Sequence, residues 1–261
     1  MEKRLSSPWD RVQAARSAGR PTARAFIEAM LTDFTPLCGD RRFGEDSAVL
    51  AGPARLHGKP LMVVGLEKGV DTKDKIAHNF GSAQPEGYRK SLRLMKQAEK
   101  FRLPLLCLVD TSGAYCGIGA EERGQGQAIA ENLTTLMGLQ TPVVSVLIGE
   151  GGSGGALALA VADRVWMLEN AVYSVISPEG CASILWKDPA KTREAAQSLR
   201  LTAEDLLGFG VIERIFPEKS GLFAQLAGAL EDTFAELSRM ETADLLEARY
   251  LKYRKLGAGI T

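Results

Sequence analysis

Gly149-Glu150-Gly151-Gly152-Ser153-Gly154-Gly155-Ala156 follows the apolar run of residues 141–148 and opens an Ala/Leu-rich segment that ends near Asp163. The order is strand, glycine turn, helix. Five glycines in seven positions give up backbone entropy, which fits a very tight turn or a close approach of main chain to a ligand. A helix that begins inside such a turn presents unpaired N–H groups, backed by the positive end of its dipole, to whatever lies above it. The chemistry this suits is stabilisation of a negatively charged oxygen.

A similar unit precedes it. Residues 103–109 are a buried strand by composition, ending at Asp110. Thr111-Ser112-Gly113-Ala114-Tyr115-Cys116-Gly117-Ile118-Gly119 then makes a second glycine turn, and a helix is expected over 120–139 with Ile129, Leu133, Leu136 and Met137 inward. Upstream, residues 47–51 and 61–65 predict a hairpin with turn residues at 58–60. After a polar loop, 68–84, Pro85 starts a helix with Tyr88, Leu92, Met95 and Ala98 at helical spacing. Its other face carries Arg89, Lys90, Arg93, Lys96 and Lys100, either a solvated cationic face or an anchor for phosphates or an acidic partner.

Downstream, strands are expected at 164–168 and 171–176, and a helix from Pro178 through Trp186. Two helices are expected in the tail, 222–256, whose Phe223, Leu226, Leu230, Phe234 and Leu237 need cover. At the start, residues 9–24 are basic and polar, with a helical patch and a break at Gly19-Arg20-Pro21, and a second helix over 22–34 takes Thr22 as its cap. Strands alternating with helices in right-handed crossovers indicate an α/β layered domain.

Composition sets the outer limits. A chain of 261 residues, 45% hydrophobic and 25% charged, has ample material for a core. With 32 basic and 32 acidic residues, nothing overall points to nucleic acid or an anionic membrane. Cys38, Cys107, Cys116 and Cys181 show no CxxC pairing, which fits a reducing compartment better than a disulfide framework or a zinc site. No apolar run is long enough to span a bilayer, and Met1-Glu2-Lys3-Arg4 shows no signal-peptide pattern. The expected location is cytoplasmic, with no metal in this chain.

Three enzymatic readings of the main turn compete. Gly149-x-Gly151-x-x-Gly154 matches a dinucleotide fingerprint, with Glu169 about twenty residues on. Gly151-x-Ser153-x-Gly155 matches a nucleophile elbow, but His57 and His78 both precede Ser153 and the elbow order places its histidine last. Ser153 therefore suits a helix cap better than a nucleophile. In the third reading both turns donate backbone N–H groups to oxyanions, and no side chain attacks. A non-enzymatic alternative is a scaffold subunit that completes a partner's site.

Residues 110–125, 149–156 and 173–187, with Asp71-Thr72-Lys73-Asp74-Lys75 and Pro85-Glu86-Gly87-Tyr88-Arg89-Lys90, together resemble the carboxyltransferase α subunit of bacterial acetyl-CoA carboxylase. The resemblance covers about residues 11–217. It implies an α/β crotonase-like (ClpP/crotonase) fold of stacked ββα units with flanking helices. Residues 1–40 would form an N-terminal helical docking arm, 41–217 the carboxyltransferase core, and 218–261 a C-terminal helical segment packing on the core or a partner.

The activity implied is transfer of a carboxyl group from carboxybiotin, delivered by biotin carboxyl carrier protein, to acetyl-CoA, giving malonyl-CoA for fatty acid synthesis. A divergent acyl-CoA carboxyltransferase is the alternative. The implied partners are a β subunit, in an α2β2 complex that owns the zinc ribbon, and the carrier protein. Related carboxyltransferases face the biotin carbonyl with backbone amides at a Gly-Gly-Ala step, which matches Gly154-Gly155-Ala156; Gly113 and Ala114 match the earlier turn. These four residues, Gly154, Gly155, Gly113 and Ala114, are the implied oxyanion donors. Gly151, Gly152, Tyr115, Gly117, Arg89 and Lys90 are the implied substrate-binding set, with Lys73, Lys75 and Arg93 as further candidates for CoA phosphates or the acidic carrier. Where the family usually has proline, this chain has Ser112 and Cys116, which frees φ at two places beside the site.

Overall fold

Ser7 starts the first helix, α1 (Pro8–Ala15), through a capping box: its hydroxyl accepts the Asp10 N–H at 3.2 Å while the Asp10 carboxylate accepts the Ser7 N–H at 3.0 Å. The computed structural model describes residues 7–258, so the charged start at Met1 to Arg4 lies outside the described residues. Val12 and Ala15 bury one face of α1 against Val172, Ala196 and Leu201, so this part of the expected arm is docked on its own chain. α2 (Ala23–Met30) is shorter than expected, because Leu31 leaves in extended backbone and Thr32 bridges Arg55. Thr22 precedes α2 without a side-chain capping bond.

β1 (Val49–Leu56) and β2 (Lys59–Leu66) form the expected hairpin. His57 and Gly58 connect them with φ of 47° and 81°, the two positive values that a tight hairpin turn requires. The segment expected as polar loop holds α3 (Thr72–Ala77), capped by Asp71. α4 (Pro85–Lys100) then lies against β1 and β2 and β3 (Leu105–Thr111) follows. The helix expected over 120–139 is two, α5 (Ile118–Glu122) and α6 (Gln125–Gly138), divided at Gly124 with φ of 83°.

β4 (Val143–Gly152) leads directly into α7 (Ser153–Ala160). After β5 (Arg164–Leu168) and β6 (Val172–Ser174) come α8 (Pro178–Trp186), α9 (Thr192–Ser198), α10 (Ala203–Gly208), β7 (Arg214–Phe216), α11 (Leu222–Leu237) and α12 (Thr242–Lys255). The sheet order is β1-β2-β3-β4-β5-β7, parallel beyond the first hairpin, with β6 pairing β4 off this path. One complete ββα unit, β1-β2-α4, is followed by strand-helix repeats.

β4 carries the main correction to the sequence reading. Gly149 to Gly152 are strand and not turn: β4 pairs with β5 up to Leu147 and then with β6 through Glu150, Gly151 and Gly152. Against β3 the register jumps from Val109↔Leu147 to Thr111↔Gly151. Two residues of β3 therefore face four of β4, a bulge that bends the strand toward the first turn.

Two further ties fix the helical layers. Phe26 of α2 meets Phe223 of α11 edge-on at 5.0 Å. Arg249 of α12, 1% exposed, donates to both Asp163 carboxylate oxygens at 2.8 Å and to the carbonyls of Leu136, Leu139 and Thr141. Its geometry repays the desolvation of the charge, since the carboxylate is matched in bidentate fashion and carbonyls take further N–H groups.

Candidate active site

The two glycine turns meet backbone to backbone. A Cβ on Gly152 would overlap the Ser112 carbonyl and come within 2.8 Å of the Gly113 nitrogen. One on Gly155 would overlap the Ala114 nitrogen and lie 2.8 Å from the Gly113 carbonyl carbon. Only hydrogen fits at either position, so the glycines make a seam between the segment after β3 and the start of α7. The structure therefore brings Gly113, Ala114, Gly152 and Gly155 together, with Gly154 beside them.

Their N–H groups are not equivalent. The Gly113 amide donates to Thr111 Oγ1 at 3.1 Å, and the same hydroxyl donates to the Gly113 carbonyl at 2.8 Å. Gly113 is thus a shaping residue whose amide is already engaged, a correction to its expected use as a donor. The Ala114 N–H makes no hydrogen bond among the described residues. Gly154 and Gly155 stand in the first turn of α7, where amides have no carbonyl behind them in the helix. Ser153 is the first helical residue, with φ of 51°, and its side chain caps nothing, so its expected capping role is also corrected.

An open groove of about 320 Å³ begins at Ser153 and Gly154 and continues along Leu157, Tyr173, Ser174, Val175, Leu206 and Val211. Sequence reasoning missed its apolar walls, since Leu206 and Val211 come from a stretch with no assigned role. Gly151 lies behind this surface, against Leu147 and Tyr173. Gly117 lies under the ring of half-exposed Tyr115. The Tyr115 N–H donates to Ala83 at 3.0 Å, and Gln125 Nε2 donates to the Ala83 and Tyr115 carbonyls at 2.9 and 2.8 Å. These bonds hold the first turn around Ser112 and Cys116.

A buried charge network underlies the second turn. Lys68 Nζ donates to Glu150 Oε2 at 2.6 Å and to Asp110 Oδ1 at 3.3 Å. The Glu150 N–H donates to Asp110 Oδ1 at 2.9 Å, and Arg16 Nε donates to Glu150 Oε1 at 2.6 Å. Burial pushes the Glu150 carboxyl up, but Lys68 and Arg16 outweigh it and hold the group below its usual range. Burial dominates at Asp110, which is raised despite Lys68 and the Glu150 N–H. Burial opposes the charge on Lys68 as well, and its two carboxylates more than offset it.

Arg89 and Lys90 are not brought to the seam. Lys90, 2% exposed, donates to Glu45 and to the carbonyls of Asp46 and Val49, the latter two at 2.8 and 2.6 Å. Arg89 pairs with Asp40 and Glu86 at 2.7 and 2.9 Å. Burial works against the Asp40 charge, yet three backbone N–H groups and Arg89 draw its carboxyl down to about 2. Both cations are internal ties, a correction to their reading as surface anchors for phosphates: helical spacing placed them on the polar face, but the segment before β1 folds over that face. Arg123 likewise pairs with Glu86 at 2.7 Å and lies over the Phe43 ring. His78 bonds the Asp74 carbonyl at 2.8 Å, and His57 pairs with Glu231 at 2.6 Å, so each histidine is held by a neighbour other than Ser153. Among the described residues no cluster of His, Cys, Asp and Glu could hold a metal ion, and no helix is long and apolar enough to cross a membrane.

The family model described as "Acetyl co-enzyme A carboxylase carboxyltransferase-like" matches residues 3–257. The chain belongs to this family. It is 56% identical over 255 residues to the acetyl-coenzyme A carboxylase carboxyl transferase subunit alpha of Ruminiclostridium cellulolyticum, covering 96% of this chain and 98% of the relative. Among solved structures it resembles transcarboxylase 12S (TM-score 0.70, 19% identity, 84% of this chain and 42% of that one). It also resembles a chain of a Pseudomonas malonate decarboxylase hetero-tetramer (TM-score 0.68, 18% identity, 86% of this chain and 90% of that one). At these identities the structural likeness speaks for the fold alone, the crotonase-like α/β fold of the carboxyltransferases. Membership places the chain among carboxyltransferases; the other two readings of the glycine letters have no such support.

Proposed function

We propose that the seam between the two turns is the oxyanion site of a carboxyltransferase α subunit, and that carboxybiotin is the substrate it receives. As a member of the acetyl-CoA carboxylase carboxyltransferase family, the chain carries out carboxyl transfer to acetyl-CoA, giving malonyl-CoA, with a β subunit as partner. The observation that carries the site assignment is the packing of Gly152 and Gly155 on Ser112 to Ala114. It sets the Ala114 amide beside the first-turn amides of α7. Loss of the carboxyl group leaves negative charge on the ureido oxygen of biotin. Preorganised N–H donors in a site with little water stabilise such charge by several kcal/mol.

In this reading Ala114, Gly154 and Gly155 are the donors, and Gly113 shapes the turn. The groove along Leu157, Tyr173 and Val175 takes the apolar side of the biotin bicycle. Biotin itself takes the proton from acetyl-CoA, so the subunit needs no histidine base. The carrier is biotin carboxyl carrier protein and the assembly is α2β2, with acetyl-CoA held largely by β; the complex works in the cytoplasm. The test is malonyl-CoA formation from acetyl-CoA and carboxybiotin by this chain mixed with its β partner. Activity that requires both subunits supports the reading, and full activity from this chain alone overturns it.

One observation favours a second reading. Ser153 is exposed, with φ of 51°, at a strand-to-helix junction, which is the shape of a nucleophile elbow. Hydrolysis of a thioester by the isolated chain, lost in Ser153→Ala, would support it.

A further inference from the structure

Tyr88 is a fully buried residue of α4 whose hydroxyl has no hydrogen-bond partner among the described residues. A buried hydroxyl without a partner is a cost that phenylalanine at the same place would avoid. The hydroxyl is not in a remote part of the core. A Cβ on Gly155 would lie 2.9 Å from the Tyr88 oxygen and 2.8 Å from the Gly113 carbonyl carbon, so the phenol and the Gly113–Ala114 peptide both close on Gly155 at the seam. The Gly113 carbonyl accepts one bond, from Thr111 Oγ1, and keeps a second lone pair. Burial and the nearby Asp46 carboxylate push the phenol well above its usual range. It therefore stays protonated and remains a donor.

We propose that Tyr88 is a positioning residue for the oxyanion site: when the site is occupied, its hydroxyl donates to the Gly113 carbonyl, fixing the peptide plane that carries the Ala114 N–H. A carbonyl that accepts a hydrogen bond polarises its own peptide, so the N–H on the other side becomes a stronger donor. Both ends of one peptide then serve the developing charge. This inference rests on the seam being the oxyanion site.

The test is Tyr88→Phe in the chain assembled with its β subunit, with kcat, the KM for acetyl-CoA and the melting temperature measured together. The ring and its packing are retained, and only the hydroxyl is lost. Expected is a fall in kcat of roughly fivefold to tenfold, the rate equivalent of one hydrogen bond, with KM unchanged and the melting temperature unchanged or higher. An unchanged kcat overturns the proposal, and so does a loss of rate that tracks a loss of thermal stability. If the wild-type assembly makes no malonyl-CoA, the reading of the site fails first. The hydroxyl is then judged by a crystal structure of the assembly with biotin bound: an oxygen within about 3.2 Å of the Gly113 carbonyl supports the proposal, and one beyond about 4 Å overturns it.

Discussion

The two glycine turns share a vocabulary and are held by different means. In the first, side chains make the shape: Thr111 Oγ1 takes both ends of Gly113, and Gln125 holds the Tyr115 carbonyl. Gly113 is there for its φ of 148°, and a Cβ on it would meet nothing within 4 Å. In the second, the main chain is the structure. Glu150 to Gly152 pair as strand with β6, and Gly152 and Gly155 are there for space. The first turn is a loop that depends on its side chains, and the second is a rigid bend resting on buried charge.

The largest effect should come from removing that charge. Lys68→Met leaves the Asp110 and Glu150 carboxylates buried, with Arg16 as the remaining cation on Glu150. Breaking a buried pair this way costs about 3–5 kcal/mol, to be read from denaturant unfolding. The pH dependence has a definite sign. The folded-state carboxyl of Glu150 lies below its ordinary value of 4.5, so its contribution is complete above 4.5 and is lost as pH falls through the lower, folded value. Without Lys68 the Glu150 carboxyl rises, and acid unfolding should begin at higher pH than in the wild type. An unchanged acid midpoint would show that the network does not anchor the bend.

Gly155→Val comes next. The added carbon points at the Ala114 nitrogen and not into the groove. The variant therefore opens the seam instead of blocking the entry of biotin, and the first turn shifts with it. Removing one oxyanion donor costs about 2.7–4 kcal/mol in the transition state, a fall of roughly 10²–10³ in kcat. Gly154→Ala is the internal control, because its Cβ meets only Ile129 at 3.7 Å and most of the rate should remain. Equal losses in the two variants, assayed with the β subunit, would break the distinction between a glycine kept for space and one that is not.

What could be read in advance follows the same division. β5 and α8 have the bounds that their apolar and proline patterns gave, because alternation and an N1 proline are local signals. The continuation of β4 through four residues of glycine-rich chain was illegible. Its cause is non-local: Val172 to Ser174 pair there, and Asp110 fills the bulge. Helical periodicity assigned Lys90 to a polar face but carries no information on what covers that face. Arg249 looked like any basic residue of a tail helix, and only the fold brings it to Asp163. The glycine letters located the seam, while the division of its amides between structure and chemistry depended on Thr111, whose role has no signature in spacing.

Thr111→Val should have a moderate effect, and only on the first turn. Valine keeps the volume and removes both bonds to Gly113, at about 1 kcal/mol each. A loss of about 1–2 kcal/mol in thermal or denaturant stability is expected, together with faster hydrogen exchange at the Gly113 amide. Exchange across β4 and α7 should be unchanged. Loosening of both segments together would mean that they form one unit and are not held by separate means.

The smallest effect belongs to Ser153, and it separates the two chemistries that its position permits. A non-glycine residue at φ of 51° costs roughly 1–2 kcal/mol in the left-handed region, strain of the kind that also exposes a catalytic serine in an elbow. A nucleophile needs a base, yet His57 is held by Glu231 and His78 by Asp74. If the strain serves only to turn β4 into α7 with its amides facing the seam, glycine should do the same work with less strain. Ser153→Gly should then gain up to about 1 kcal/mol of stability, and it should keep most of the carboxyltransferase rate, as should Ser153→Ala. A nucleophilic serine would give the opposite pattern: both variants would fold at least as well as the wild type and lose about three orders of magnitude or more in turnover.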